Sequence, residues 1–200
     1  MAPAVAPLVC LASASPRRRA LLEQIGVPYT VSIADIDEAV AAGEPPADYV
    51  LRVACAKARA VRARGTALPV LAADTTVVVD GLLCAKPRDR ADGIAMLGRL
   101  SGRTHQVLTA VALATASGVS FRLSASEVRL RAVSSAECAA YWETGEPHDK
   151  AGGYAIQGRG ALFIEHLSGS YSGVMGLPLF ETGELLAAAG VACLPQGRPA

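Results

Sequence analysis

The sequence predicts an α/β fold in which a mixed β-sheet is flanked by helices. Short apolar runs alternate with amphipathic helical segments, the rhythm of β-α-β units and parallel pairing. Two long strand-like runs lie side by side around Ser117-Gly118, and adjacent strands joined so closely pair antiparallel. Composition agrees: 52% of the 200 residues are hydrophobic and only 4% aromatic, so the core is built from Ala, Val and Leu. That length is enough to bury a core, and residues 1–200 read as one domain with flexible tails at 1–7 and 194–200.

Leu8–Ala12 is a short apolar strand. Pro16–Ile25 reads as a helix, with Ser15 as N-cap, Pro16 in the first turn and Gly26 as its stop. Tyr29–Ile33 is a second strand. Asp48–Arg64 is a strong helix with Val50, Val53, Ala54 and Val61 on one side and Gly65 closing it. "LPVLAAD" is a buried strand ending at Asp74, and "TTVVVDGLLC" forms two strands around an Asp80-Gly81 turn. Arg90–Leu100 is a helix, followed by the two long strands. The second of these alternates Phe121, Leu123, Ala125 and Glu127 with Arg122, Ser124, Ser126 and Val128. Helices follow at Ser135–Thr144 and Pro178–Ala189, with a glycine-rich segment between them.

Several function classes are disfavoured. A net charge of +1 and few aromatics argue against a nucleic-acid binder. The first fifteen residues lack a basic segment, are interrupted by prolines and are too short to span a bilayer, so no membrane partner is expected. Five scattered cysteines without a C-x-x-C pair suit free thiols and a cytoplasmic location. There is no P-loop motif and no H-E-x-x-H, and "GSYSG" at 169–173 has a tyrosine where a nucleophile elbow needs serine, so it reads as loop chemistry.

Four polar clusters remain. Ser13, Ser15, Arg17, Arg18 and Arg19 surround a strand-to-helix turn, where backbone N–H groups and arginine forks favour an anion; the alternative is a solvated charged face. Asp74-Thr75 ends a buried strand, either as a ligand-binding position or as an Asx turn. Asp35, Asp37 and Glu38 offer oxygen ligands to a hard cation, although a solvated acidic loop explains Asp35 and Asp37 better. Lys57 and Lys86 are single lysines that would ordinarily be surface charges. Together the clusters describe a site for phosphates and a metal.

The stretches "SASPRR", "AADTTVVVDG", "AKPRD", "LSGRTHQVLTAV", "EPHDKAGGYAIQG" and "GSYSGVMGLPL" resemble, in order from about Leu11 to Leu186, the Maf family of septum-formation-inhibitor-like nucleotide pyrophosphatases. The resemblance implies an elongated fold with two lobes and a cleft, similar to the inosine triphosphate pyrophosphatases. It implies hydrolysis of nucleoside triphosphates to monophosphate and pyrophosphate with a divalent cation, Mg²⁺ or Mn²⁺. It assigns Asp74 as proton acceptor and Glu38 with Asp74 as metal ligands. Phosphate binding falls on Ser13, Arg17, Arg18, Lys57 and Lys86, and base specificity on Arg17, Thr75 and Gln157. Arg19 keeps the reading of a solvated charge.

"GYAIQG" resembles the branch acting on dTTP and UTP rather than the branch acting on 7-methyl-GTP. Ala85, where many relatives have glycine, and His148, at a variable position, are the departures. The rival reading is a non-catalytic nucleotide-binding regulator of septum formation, which would have no need of Asp74. The expected partner is a small nucleotide, with a homodimer left open.

Overall fold

The computed structural model describes residues 6–193. The tail expected at 194–200 and the first five residues of the other lie outside the described residues. The chain forms one seven-stranded mixed sheet flanked by helices, and it divides into two compact units. The first holds the chain up to Asp74 together with 110–123 and the segment from Gly176; the second holds 75–109 and 124–175.

In the first unit, β1 (Val9–Leu11) leads into α1 (Pro16–Gln24), then β2 (Tyr29–Val31), α2 (Pro46–Arg62) and the start of β3 (Val70–Val79). β1 pairs parallel with β2, Val9 opposite Tyr29, and with β3, Leu11 opposite Leu71. Those parallel partners run out at Leu11 and Val31, while β3 continues past Asp74. Ser15 occupies the N-cap position of α1 and Pro16 its first turn, but the Ser15 side chain makes no cap hydrogen bond. α2 begins at Pro46, two residues earlier than the apolar periodicity indicates, because a proline with its fixed φ suits the first helical position after the extended N-cap Pro45.

One expectation is corrected. "LPVLAAD" and "TTVVV" are not separate strands: β3 is a single ten-residue strand, and Asp74 lies inside it. The β-branched residues after Asp74 prolong the extended backbone, and its carboxylate is satisfied by a lysine rather than by a turn.

In the second unit, β3 turns at Asp80 and Gly81 into β4 (Leu82–Cys84), with Val77 opposite Cys84. Both turn residues have positive φ, 53° and 75°, as a two-residue hairpin of this kind requires. α3 (Arg90–Leu100) is capped by Asp89, which accepts from Asp92 N–H at 2.8 Å. The long β5 (Thr104–Thr115) and β6 (Gly118–Leu130) follow, then α4 (Ser135–Trp142), whose Ser134–Glu137 capping box defines its start. The glycine-rich segment contains elements absent from the sequence reading: two short 3-10 turns (Ala151–Gly153 and Arg159–Phe163), β7 (Ile164–Ser168) and α5 (Tyr171–Met175). "GSYSG" therefore runs into a helical turn rather than a loop. β7 pairs antiparallel with β6, Glu127 opposite Ser168, with a bulge at Arg129/Leu130. The sheet order is β2-β1-β3-β5-β6-β7, with β4 on β3. The last helix is α6 (Leu179–Ala188).

Each unit has its own core. Leu11, Leu22, Val50, Val53 and Leu71 are fully buried in the first. Leu97, Leu100, Val128, Leu130, Tyr141 and Tyr154 centre the second. On β6 the serine-bearing face is the inner one: Ser124 and Ser126 are buried while Phe121 and Leu123 are exposed. Ser126 Oγ accepts from Ser170 N–H at 2.9 Å, so a small polar residue is what that face needs. Gly152, at φ +74°, lies against Val77, where an added Cβ would come within 2.7 Å of that side chain.

His105 on β5 is buried, and its Nε2 is 2.7 Å from the Tyr154 hydroxyl. Burial lowers its pKa to about 4. An unfolded histidine titrates near 6.5, so from there down to about pH 4 the unfolded chain takes up a proton that the folded chain refuses. Stability of about 3 kcal/mol is present above that window and lost as pH falls through it. His105→Gln should lose less stability between pH 7 and pH 4.5 than wild type, as read from urea midpoints at the two pH values.

Candidate active site

The apolar stripe of α2 carries Val50, Val53, Ala54, Ala58 and Val61, all buried. Lys57 falls on the same stripe, one turn from Val53, Ala54 and Val61. Its side chain is only 12% exposed, and its ammonium donates to Asp74 Oδ1 and Glu38 Oε2, both at 2.8 Å. Asp74 comes from the middle of β3 and Glu38 from the loop between β2 and α2. Three of the predicted residues thus meet at one nitrogen.

Asp74 is 7% exposed. Burial raises its pKa above the ordinary carboxylate value, against the opposing Lys57 charge and hydrogen bond and the Arg18 charge. A carboxylate so placed is a better base than one in water. Tyr49, two turns before Lys57 on α2, has its phenol pushed up to about 12, by burial first and then by the charges of Asp74 and Glu38. It stays a neutral donor across the physiological range.

The loop that carries Glu38 is tied at several points. Arg52 on α2 holds Glu44 through two bonds, 2.6 and 2.7 Å, and donates to Ala39 O at 2.9 Å. Glu44 in turn accepts from Ala41 N–H, and these bonds bring its pKa down to about 2, the Arg52 bond being the largest cause. Arg64 donates to Ile33 O and Ser32 Oγ at the start of the loop. Asp37, exposed, accepts from Ala39 N–H at 2.8 Å in an Asx turn. Arg52, Glu44 and Tyr49 carry no motif in the sequence; a pair of charges eight residues apart has no local signature.

At the start of α1, buried Ser13 accepts from Ser15 N–H and from Arg18 Nη1, both at 3.2 Å. Arg18 Nε also donates to Gly176 O at 2.7 Å. Burial pulls its pKa below the usual value, with Asp74 and Glu38 raising it and Arg17 lowering it. Arg18 is therefore a fixed cation, oriented by two oxygens and within the field of both carboxylates. Arg17 and Arg19 are half-exposed on the same helix.

In the second unit, Thr75 Oγ1 lies 2.9 Å from Thr109 Oγ1, and Thr109, fully buried, reaches Gly173 O at 2.8 Å. Lys86 is exposed just after β4. The neighbouring Ala85 O accepts from Gly152 N–H at 3.2 Å, which ties the Lys86 segment to the glycine-rich segment. Gln157 is exposed within that segment.

The donor set suits a hard divalent cation. Asp74 and Glu38 each place an oxygen 2.8 Å from the Lys57 ammonium, and Mg²⁺ takes one or two carboxylates with water and phosphate oxygens. Among the described residues no group of three or more His, Cys, Asp and Glu side chains is arranged to enclose a metal, so the remaining ligands would have to be substrate and water.

The family model described as Maf-like protein matches residues 8–189. The chain belongs to the Maf family. Named relatives agree. A protein of Burkholderia pseudomallei named "dTTP/UTP pyrophosphatase" is 54% identical, covering 93% of this chain and 95% of its own. Proteins of the same name from Alkalilimnicola ehrlichii, at 53% identity with 93% and 95% coverage, and Methylobacillus flagellatus, at 54% with 92% and 94%, are similar to the same extent. The solved Ham1 protein of Staphylococcus aureus is 14% identical and covers 61% of this chain and 71% of its own, with a TM-score of 0.46.

The Lys57–Asp74 pair generates a prediction for this Maf protein. Lys57 holds the Asp74 pKa down against burial, so Lys57→Met should raise it further. Carboxyl ¹³C NMR should show the Asp74 titration moving to higher pH; an unchanged midpoint would mean that the two groups are not coupled.

Proposed function

We propose that the chain is a nucleoside triphosphate pyrophosphatase that hydrolyses dTTP and UTP to the monophosphate and pyrophosphate. The observation that carries this reading is the buried Asp74 carboxylate, raised in pKa and held with Glu38 on Lys57. The names of relatives 53–54% identical over most of the chain support the substrate.

Asp74 accepts the proton of the attacking water. Burial favours this role because a base works best when its pKa approaches the working pH. Water attacks the α-phosphorus and pyrophosphate leaves. Arg18, oriented by Ser13 and Gly176, and Arg17 beside it face the phosphate oxygens, where a guanidinium fork pairs with two at once. Lys57 is the counter-ion that favours the ionised form of Asp74. The family resemblance assigns Lys86 to the phosphates as well, where a cation would offset charge on the leaving group. Mg²⁺ or Mn²⁺ held by Glu38 and Asp74 would neutralise the triphosphate and polarise its oxygens.

Base choice falls to Gln157, Thr75 and Arg17. Gln157 offers one donor and one acceptor, which match the carbonyl and N3–H edge shared by thymine and uracil. Cytosine presents an amino group and an unprotonated N3 there, so it pairs less well.

Asp74→Asn should lower pyrophosphate release from dTTP by about 10²- to 10⁴-fold, the range for loss of a general base. Wild-type turnover by that variant would sink the assignment. Gln157→Ala should cut the UTP-over-CTP ratio in kcat/KM by about tenfold, and an unchanged ratio would remove Gln157 from base reading.

A further inference from the structure

Gln157 is exposed at the tip of a loop, between two glycine-containing arms. A residue that discriminates bases must be held there by something, because an unrestrained loop spends little time in any one geometry. The loop is gripped from beneath by two side chains that the function has not so far used. Glu146 Oε1 accepts from Gly160 N–H at 3.0 Å, and Oε2 accepts from Arg159 N–H at 2.8 Å. Tyr141, buried on α4, donates its hydroxyl to Glu146 Oε1 at 2.6 Å and accepts from Ala155 N–H at 3.1 Å. Both arms are therefore tied to one phenol–carboxylate pair, two residues before Gln157 and two and three residues after it.

The surroundings fit such a clamp. Tyr141 is anchored by an edge-on contact with Phe163, ring centres 5.2 Å apart at 88°. Lys150 Nζ donates to Glu146 O at 3.1 Å, which holds the backbone of the gripping residue. An added Cβ on Gly158 would fall 2.3 Å from Glu146 Oε2. On Gly160 it would fall 2.7 Å from the Tyr141 hydroxyl. The loop backbone lies directly on the pair with no room for a side chain between. A carboxylate is needed because both oxygens accept; an amide would present two donors to backbone N–H groups on one side.

We infer that Glu146, locked by Tyr141, is the positioning residue that holds Gln157 in its base-reading geometry. This rests on the reading of Gln157 given above. The Glu146 carboxylate bonds to the Tyr141 hydroxyl and to loop backbone N–H groups, so its removal should act on base choice and substrate affinity.

The test compares Glu146→Gln, Tyr141→Phe, Gln157→Ala and the Glu146→Gln/Gln157→Ala double variant in kcat/KM for UTP and CTP. Glu146→Gln and Tyr141→Phe should each cut the UTP preference by about tenfold, with the loss falling on KM for UTP more than on kcat. The double variant should discriminate no worse than Gln157→Ala alone, because both changes act through one contact. An unchanged ratio in the two clamp variants, or additive losses in the double variant, would overturn the inference while leaving Gln157 as base reader. No effect of Gln157→Ala itself would overturn the base reading, and the clamp's role with it. Tyr141→Phe keeps its ring in the core, so it serves if Glu146→Gln does not fold. In the wild-type protein, amide exchange at Arg159 and Gly160 should be slowed at least tenfold relative to an open loop; open-loop rates would overturn the clamp directly.

Discussion

The site rests on one nitrogen. Lys57 lies on the buried stripe of α2, where a charge without partners would be strongly disfavoured. It is tolerated because Asp74 and Glu38 both reach it. That requirement links three segments far apart in the chain: the helix, the long strand and the loop that precedes the helix. It also sets the electrostatics around it. Burial raises the Asp74 pKa against the opposing Lys57 charge, Tyr49 is kept neutral, and the Arg18 guanidinium lies in the field of the two carboxylates.

Strand lengths make room for this arrangement. β1 and β2 are three residues each and stop where β3 has barely begun. Beyond their ends the chain turns through Ser13 into α1, while β3 carries Asp74 onward. A carboxylate on a strand whose parallel neighbours have ended can face a ligand without losing the support of the sheet.

Both units use the same device to fix a loop that has little regular structure. In one, Arg52 and Glu44 tie down the segment carrying Glu38. In the other, Tyr141 and Glu146 tie down the segment carrying Gln157. Paired side chains that bond to backbone groups of the loop stand in for the ladder of a helix or strand. Arg52 is exposed to solvent, so the value of the Glu44–Arg52 pair lies in geometry more than in stability.

Periodicity is enough to place α1, α2, α3, α4 and α6, the Asp80-Gly81 hairpin and the two long strands, because these depend on neighbours within a few residues. It misjudged β3, where a polar residue inside an apolar run looked like an end, and it left β7 and α5 undetected among glycines. Which residues belonged together was legible through linked motifs: Ser13, Arg18, Glu38, Lys57 and Asp74 were all named from the sequence. Their arrangement was not. That Lys57 bridges two carboxylates, that Arg18 is held by a carbonyl 158 residues away, and that Glu146 grips the arms around Gln157 are outcomes of folding. The sequence by itself determined the element types, the composition of the core and the chemical groups available. Only the tertiary structure decided which groups share a proton, a charge or a loop, because those couplings depend on distances that the chain acquires when it packs.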